Sequence, residues 1–204
     1  MTDHKTVSRD EWIEARRDLL AEEKAFAKAR DSLAAKRRSL PWNKVDKDYT
    51  FDTESGTKTL ADLFEDKSQL IIQHFMFGPD WEEGCPSCSF WSDNFNQTIP
   101  HLAARDVAFA AVSRAPLEIL VAYRTRLGWT FPWVSSLGND FNFDYDVSFD
   151  PERKPDEGVY YNYRDTTFPS SEAPGVSVLF KDDDGVIYHT YSAFARRLEG
   201  LSGP

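Results

Sequence analysis

An apolar run of strand composition, Leu70-Ile-Ile-Gln-His-Phe-Met-Phe77, leads into Gly78-Pro-Asp-Trp-Glu-Glu-Gly-Cys-Pro-Ser-Cys-Ser-Phe-Trp91, and Phe90 to Ile99 then reads as a helix. Cys85 and Cys88 are the only cysteines in the 204 residues, and they stand at this strand-to-helix corner with Pro86 between them. The first turn of a helix presents backbone N–H groups without intrahelical partners, and these favour negative charge on a sulfur placed there. Thiolate is the nucleophile of disulfide exchange, so the corner points to dithiol chemistry with Cys85 attacking and Cys88 resolving. Pro86 suits the first helical position, where its missing N–H costs nothing.

Strand and helix patterns alternate on both sides of the corner. Tyr49 to Asp52 and Lys58 to Leu60 flank the turn cluster Thr53-Glu-Ser-Gly56 and read as a hairpin, and Ala61 to Phe64 as a helical turn. His101 to Asp106 closes the helix behind the cysteines, and Val107 to Val112 is a second short apolar run of the buried parallel-strand kind. Ser113-Arg-Ala-Pro116 turns into a second helix with Leu117, Leu120, Val121 and Leu127 on one side and Gly128 as its stop. Trp129 to Ser135 starts a third strand. Such alternation predicts an α/β fold built from βαβ crossovers. Val176 to Phe180 and Val186 to Tyr191, joined by Asp182-Asp-Asp-Gly185, predict a second hairpin, and Ser192 to Leu198 a final short helix.

Residues 1–40 form an N-terminal helical extension, and residues 41–204 the α/β domain. Ser8 and Glu11 have capping-box spacing, and from there to about Arg38 there is neither Gly nor Pro. Trp12, Leu19, Phe26 and Leu33 recur every seven residues as a narrow apolar seam. That seam fits a helix lying across its own domain or a homodimer arm. Leu40-Pro41 ends the helix.

From 138 to 174 the alternation lapses into a long insertion rich in aromatics, which we expect to pack as a lid. Asp140, Asp144 and Asp146 fall within it, but without the Gly and terminal Glu of a calcium loop.

A formal net charge of −10 excludes non-specific nucleic-acid binding and attraction to an anionic membrane. No apolar run approaches the roughly 20 residues that cross a bilayer. Met1-Thr-Asp-His-Lys lacks the apolar core of a secretory signal, so a cytoplasmic location is expected. Two cysteines so close together cannot form a framework of bridges; redox exchange or metal binding is the commoner use. Cys-x-x-Cys is half a zinc or copper site, which His74, His101 or His189 would have to complete, with His189 the best placed. Buried hydrophobic cysteines are the remaining alternative. Glu82 and Glu83 raise a nearby thiol pKa while the helix terminus lowers it, and composition does not decide between them. Dithiol exchange requires no cofactor, and its partner is a thiol or disulfide protein or a small oxidant.

The assembled motifs resemble a bacterial thioredoxin-like family known as domain of unknown function eight-nine-nine. His74-Phe-Met-Phe-Gly-Pro-Asp-Trp81, Gly84-Cys-Pro-Ser-Cys-Ser-Phe-Trp91, Ala111-Val-Ser-Arg-Ala-Pro116 and Gly128-Trp-Thr-Phe-Pro-Trp133 carry the likeness. Asp140-Phe-Asn-Phe-Asp144, Gly175-Val-Ser-Val178 and His189-Thr-Tyr-Ser192 extend it. The resemblance implies a thioredoxin-like fold, a central mixed sheet flanked by helices, with a redox-active dithiol at Cys85 and Cys88. Trp81, Pro86, Trp91 and Pro174 would support the site. In thioredoxin-like proteins a cis-proline sits against the cysteines, and Ala173-Pro174 stands where it would fall; an ordinary turn proline is the alternative. Family members usually continue beyond the last helix, so a shortened C-terminus is expected. Peroxiredoxins are wider relatives, but the Pro and Thr/Ser that precede a peroxidatic cysteine are Gly78 and Glu82 here, and the peroxidase arginine falls near Tyr188. Thiol peroxidase activity and a non-catalytic scaffold are therefore secondary alternatives to dithiol exchange.

Overall fold

The computed structural model describes residues 4–150, 152, 154 and 157–195, and these form two compact units, Met1–Pro41 and Trp42–Pro204. The first unit is the helix α1, Arg9–Arg38. Ser8 caps it as the sequence predicts: its hydroxyl oxygen accepts from Glu11 N–H at 3.3 Å, and Glu11 accepts from Ser8 N–H at 2.9 Å. Asp10 and Glu11 in the first turn and Lys36, Arg37 and Arg38 in the last complement the helix dipole. No residue of α1 is buried, and the seam residues Trp12, Leu19, Phe26 and Leu33 are all exposed.

The second unit is built on an eight-stranded mixed sheet. Its strands are β1 (Asn43–Lys44), β2 (Thr50–Thr53), β3 (Gly56–Thr59), β4 (Gln69–His74), β5 (Val107–Ser113), β6 (Trp133–Ser135), β9 (Gly175–Lys181) and β10 (Ile187–Phe194), in the order β1-β10-β9-β4-β5-β6-β2-β3. A separate two-stranded ribbon pairs β7 (Gly158–Tyr161) with β8 (Arg164–Thr167). β4, β5 and β6 run parallel, and β9 returns antiparallel to β4. Parallel neighbours need crossovers, and helices supply them: α2 (Pro86–Asn96) and α3 (Ile99–Ala103) between β4 and β5, and α4 (Leu117–Leu127) between β5 and β6. Gly128 ends α4 at φ +72°, the left-handed stop its position predicts.

Side chains alternate across β4. Leu70, Ile72 and His74 face one core with Phe51, Phe64, Phe141, Val147 and Leu179; Ile71 and Phe75 face the other, with Cys88, Leu120, Phe131 and Trp133. Helices α2, α3 and α4 cover the second core. The first is covered by the 3-10 turn Ala61–Phe64, by α5 (Phe141–Asp144) and by the insertion, whose Tyr145, Val147, Phe149, Val159 and Tyr161 are buried. The aromatic insertion is thus a packed layer.

Three predicted elements differ. The helix behind the cysteines is two helices, because Thr98 N–H turns back to Phe95 O and Pro100 enters a new first turn. The third strand begins only at Trp133. Trp129 is held instead by its indole N–H on Asp93 at 2.7 Å, and Thr130 by Asn96 at 2.8 Å. Ser192 to Phe194 continue β10 rather than open a helix, since a bulge between His189 and Tyr191 restores pairing with Gly175–Ser177; the rest of that expected helix lies outside the described residues. Among the described residues no helix is long and apolar enough to cross a membrane.

Candidate functional site

Cys85 is the N-cap of α2, with Pro86 at its first position, so the sulfur stands where the first-turn N–H groups point. The loop before it is fastened at both ends. Cys85 N–H donates to Met76 O at 3.1 Å, and Ser89 N–H donates to Cys85 O at 3.0 Å. Gly84 is required by close approach, since a β-carbon there would stand 2.8 Å from the Phe75 ring. Gly78 is likewise roofed by the Trp81 indole, 2.8 Å from a would-be β-carbon.

The two thiols are free and differ sharply in environment: Cys85 is half-buried and Cys88 fully buried. The Cys88 thiol hydrogen-bonds the Cys85 sulfur, and Cys88 and Ser87 N–H add to it, so the Cys85 pKa falls to about 6 despite partial desolvation. The same hydrogen bond, burial and the charge of Cys85 push Cys88 up. At neutral pH the pair is a thiolate beside a thiol. The upstream glutamates do not cancel this. Glu83 is clamped by Arg126 at 2.9 and 2.5 Å, and Arg126 lies over the Tyr123 ring at 4.7 Å.

Cys85 opens on an apolar cavity of about 280 Å³ walled by Met76, Trp91, Tyr161, Phe168 and Pro174. The insertion supplies Tyr161 and Phe168, and the strap before β9 supplies Pro174. Ala173 N–H donates to Val147 O at 2.8 Å and the Tyr161 hydroxyl to Pro174 O at 2.7 Å, which sets the wall. The Ala173–Pro174 bond is trans, so of the two readings of Pro174 the cis-proline one does not hold and the ordinary proline one does. Beneath α2, buried Gln73 donates to Cys88 O at 3.2 Å and accepts from the Ser92 hydroxyl at 2.9 Å.

Of the predicted site residues, Cys85, Cys88, Trp91 and Pro174 line one cavity; Pro86 opens the helix, and Trp81 packs in the core around the thiols without lining the cavity. His189 does not join them. It faces the opposite core, with its Nε2 2.7 Å from the Ser192 hydroxyl and its ring 5.2 Å from Tyr145, so the Cys85–Cys88–His189 metal set is not assembled. Among the described residues no group of three His, Cys, Asp or Glu side chains could hold a metal. Sequence reading missed Gln73, Tyr161 and Phe168. The signal for Gln73 was present as the lone amide in an apolar strand, whereas nothing local marks the other two.

None of the curated proteins matches the chain. Solved structures do. A peroxidoxin, BcpB from Mycobacterium tuberculosis, superposes with TM-score 0.53 at 11% identity, covering 75% of this chain and 84% of that one. A cysteine-to-serine mutant of peroxiredoxin Q from Xanthomonas campestris superposes with TM-score 0.50 at 14% identity, covering 75% of this chain and 84% of that one. At such identities these likenesses show the thioredoxin-like fold, which the mixed sheet and its flanking helices share. Residues 1–204 match a family described as "Bacterial protein of unknown function (DUF899)", and the chain belongs to that family.

Proposed function

We propose that this chain is a dithiol–disulfide oxidoreductase acting in a reducing cytoplasm. Cys85 thiolate attacks one sulfur of a substrate disulfide; a Cys85–substrate S–S bond forms, the substrate bond breaks, and the departing thiolate takes a proton from solvent. Cys88 then loses its proton and attacks the Cys85 sulfur, closing Cys85–Cys88 and releasing the second substrate thiol. The substrate gains two electrons and the protein dithiol loses them. The carrying observation is the asymmetry of the pair: a half-exposed sulfur held near pKa 6 by three donors, with its resolving thiol buried one turn away. Likeness to peroxiredoxins supports the fold of such a site, but Gly78 and Glu82 stand where a peroxidatic site has a proline and a hydroxyl, so disulfide exchange is the better-supported reaction.

Reduction of 2-hydroxyethyl disulfide, with dithiothreitol regenerating the enzyme, tests the reading. Cys85→Ser is expected to lose activity to background. Cys88→Ser is expected to accumulate a mixed disulfide at Cys85, visible as added mass. Equal activity of Cys85→Ser and wild type would overturn it.

A further inference from the structure

On the face of the sheet opposite the thiols, β1, β10 and the end of α5 enclose a second cavity, of about 420 Å³. Aromatic rings form much of its wall: Tyr49, Tyr145, Tyr163 and His189. Most of its polar atoms already have partners. His189 Nε2 meets the Ser192 hydroxyl at 2.7 Å, Ser192 meets Ser177 at 2.7 Å, and Ser177 meets His74 Nε2 at 2.7 Å, a closed file across the sheet. Asp144 accepts from Lys47 and from the Tyr49 hydroxyl, each at 2.7 Å, and Lys47 also reaches Asp140 at 2.8 Å. Lys44 is paired with Asp46 at 2.7 Å.

Two groups remain. Tyr145 is only 8% exposed, it lines the cavity, and its hydroxyl has no partner among the described residues. Beside it Asp146, half-buried and in a left-handed backbone conformation at φ +56°, has a carboxylate with neither hydrogen bond nor ion pair among the described residues. Neither group is among the polar atoms sealed away from solvent without a partner, so both remain open to an occupant of the cavity. The surrounding charge has a definite sign: Asp46, Asp140, Asp144 and Asp146 against Lys44 and Lys47 leave two negative charges in excess. Negative charge inside walls of tyrosine faces is the chemistry that recognises an organic cation, through an ion pair and cation–π contact.

We propose that this cavity binds a small organic amine, its ammonium on the Asp146 carboxylate and the Tyr145 hydroxyl and its carbon stem against the tyrosine rings. The site is separate from the thiol cavity and does not depend on the redox reading. Burial and the nearby Asp144 raise the Asp146 pKa, so capture of a cation would also release a proton when Asp146 is partly protonated.

Isothermal titration of the full chain with putrescine, agmatine and tetramethylammonium, and with succinate as an anionic control, decides the matter. One of the three cations is expected to bind with 1:1 stoichiometry. Tyr145→Phe keeps the ring and Asp146→Asn keeps the shape in a residue that tolerates φ > 0, and each is expected to weaken that binding by about tenfold or more with unchanged circular dichroism. Absence of heat with all three cations at about 10 mM, well above the range of a specific site, equal binding of succinate, or undiminished binding in both folded variants would each overturn the proposal.

Discussion

The two faces of the central sheet bury titratable groups in opposite ways. On the helical face, Cys85 sits where N–H and S–H donors converge, and its charged form is favoured even though it is half-buried. On the other face, His74 is 1% exposed, has the Ser177 hydroxyl as its one hydrogen-bond partner, and keeps Nδ1 without a partner, so burial holds its pKa down at about 3. Both residues flank the C-terminal end of β4 or the loop it feeds. Cys85 is less deeply buried and has donors that favour its anion, whereas His74 is sealed in without an acceptor for the second N–H of a protonated ring, so desolvation prevails there.

The largest expected effect lies on the histidine face. Because His74 has a folded pKa below the ordinary value of 6.5, the unfolded chain binds its proton first, and stability falls as pH drops from about 6.5 toward 3. His189 is lowered in the same direction, by burial, and adds to the fall. Urea denaturation across that range should show a decline that carboxylate protonation then extends. His74→Leu, which suits the apolar neighbours Phe141 and Leu179, should remove several kcal/mol of the difference between pH 6.5 and about pH 4. Identical pH profiles for variant and wild type would show that His74 is not shielded as the structure has it.

A comparable effect of opposite chemistry is expected at the thiols. Removing the Cys88 donor by Cys88→Ala leaves Cys85 with only the Ser87 and residue-88 N–H groups against its desolvation. The iodoacetamide alkylation midpoint of Cys85 should then rise from about pH 6 toward the ordinary thiol value of 9. In wild type the depressed thiol also makes stability rise with pH between about 6 and 9, where the unfolded chain still holds the proton and the folded chain does not. A midpoint that stays near 6 in the variant would move the credit from the neighbouring thiol to the helix terminus alone.

The legibility of these faces in the sequence follows from how local their determinants are. The capping box at Ser8, the Gly128 stop and the cysteine corner are each fixed within a few residues, and each reads correctly. His189 reads as the best histidine for a metal because only its strand is visible; which side of that strand faces the thiols depends on the register with β9, and the bulge beside it alters that register. Tyr161 and Phe168 reach the thiol cavity from an insertion whose path is set by pairing of Val147–Phe149 with Ser171–Ala173, about two dozen residues apart, and no periodicity announces it.

The smallest effect belongs to a charge shared between these regions. Glu172 is 1% exposed on the strap that carries Pro174, within 2.5 Å of the Ser148 hydroxyl and 3.3 Å of Arg114, whose guanidinium lies 4.4 Å from the Phe143 ring centre. Desolvation outweighs both partners and lifts its pKa to about 7. The folded chain therefore holds this proton after the unfolded chain has lost it, and stability falls as pH rises from about 4.5 to about 7, then levels. Glu172→Gln keeps the size and one acceptor for Ser148, and should flatten that slope, a change of about 1–3 kcal/mol across the interval in urea titrations. Gln stands in for the protonated carboxyl, so the variant should match wild type most closely at low pH, and Arg114 loses a counter-charge only above about pH 7. A slope that persists in Glu172→Gln would assign the titration to another buried acid and leave Arg114 and Glu172 as a permanently ionised pair holding the wall of the thiol cavity.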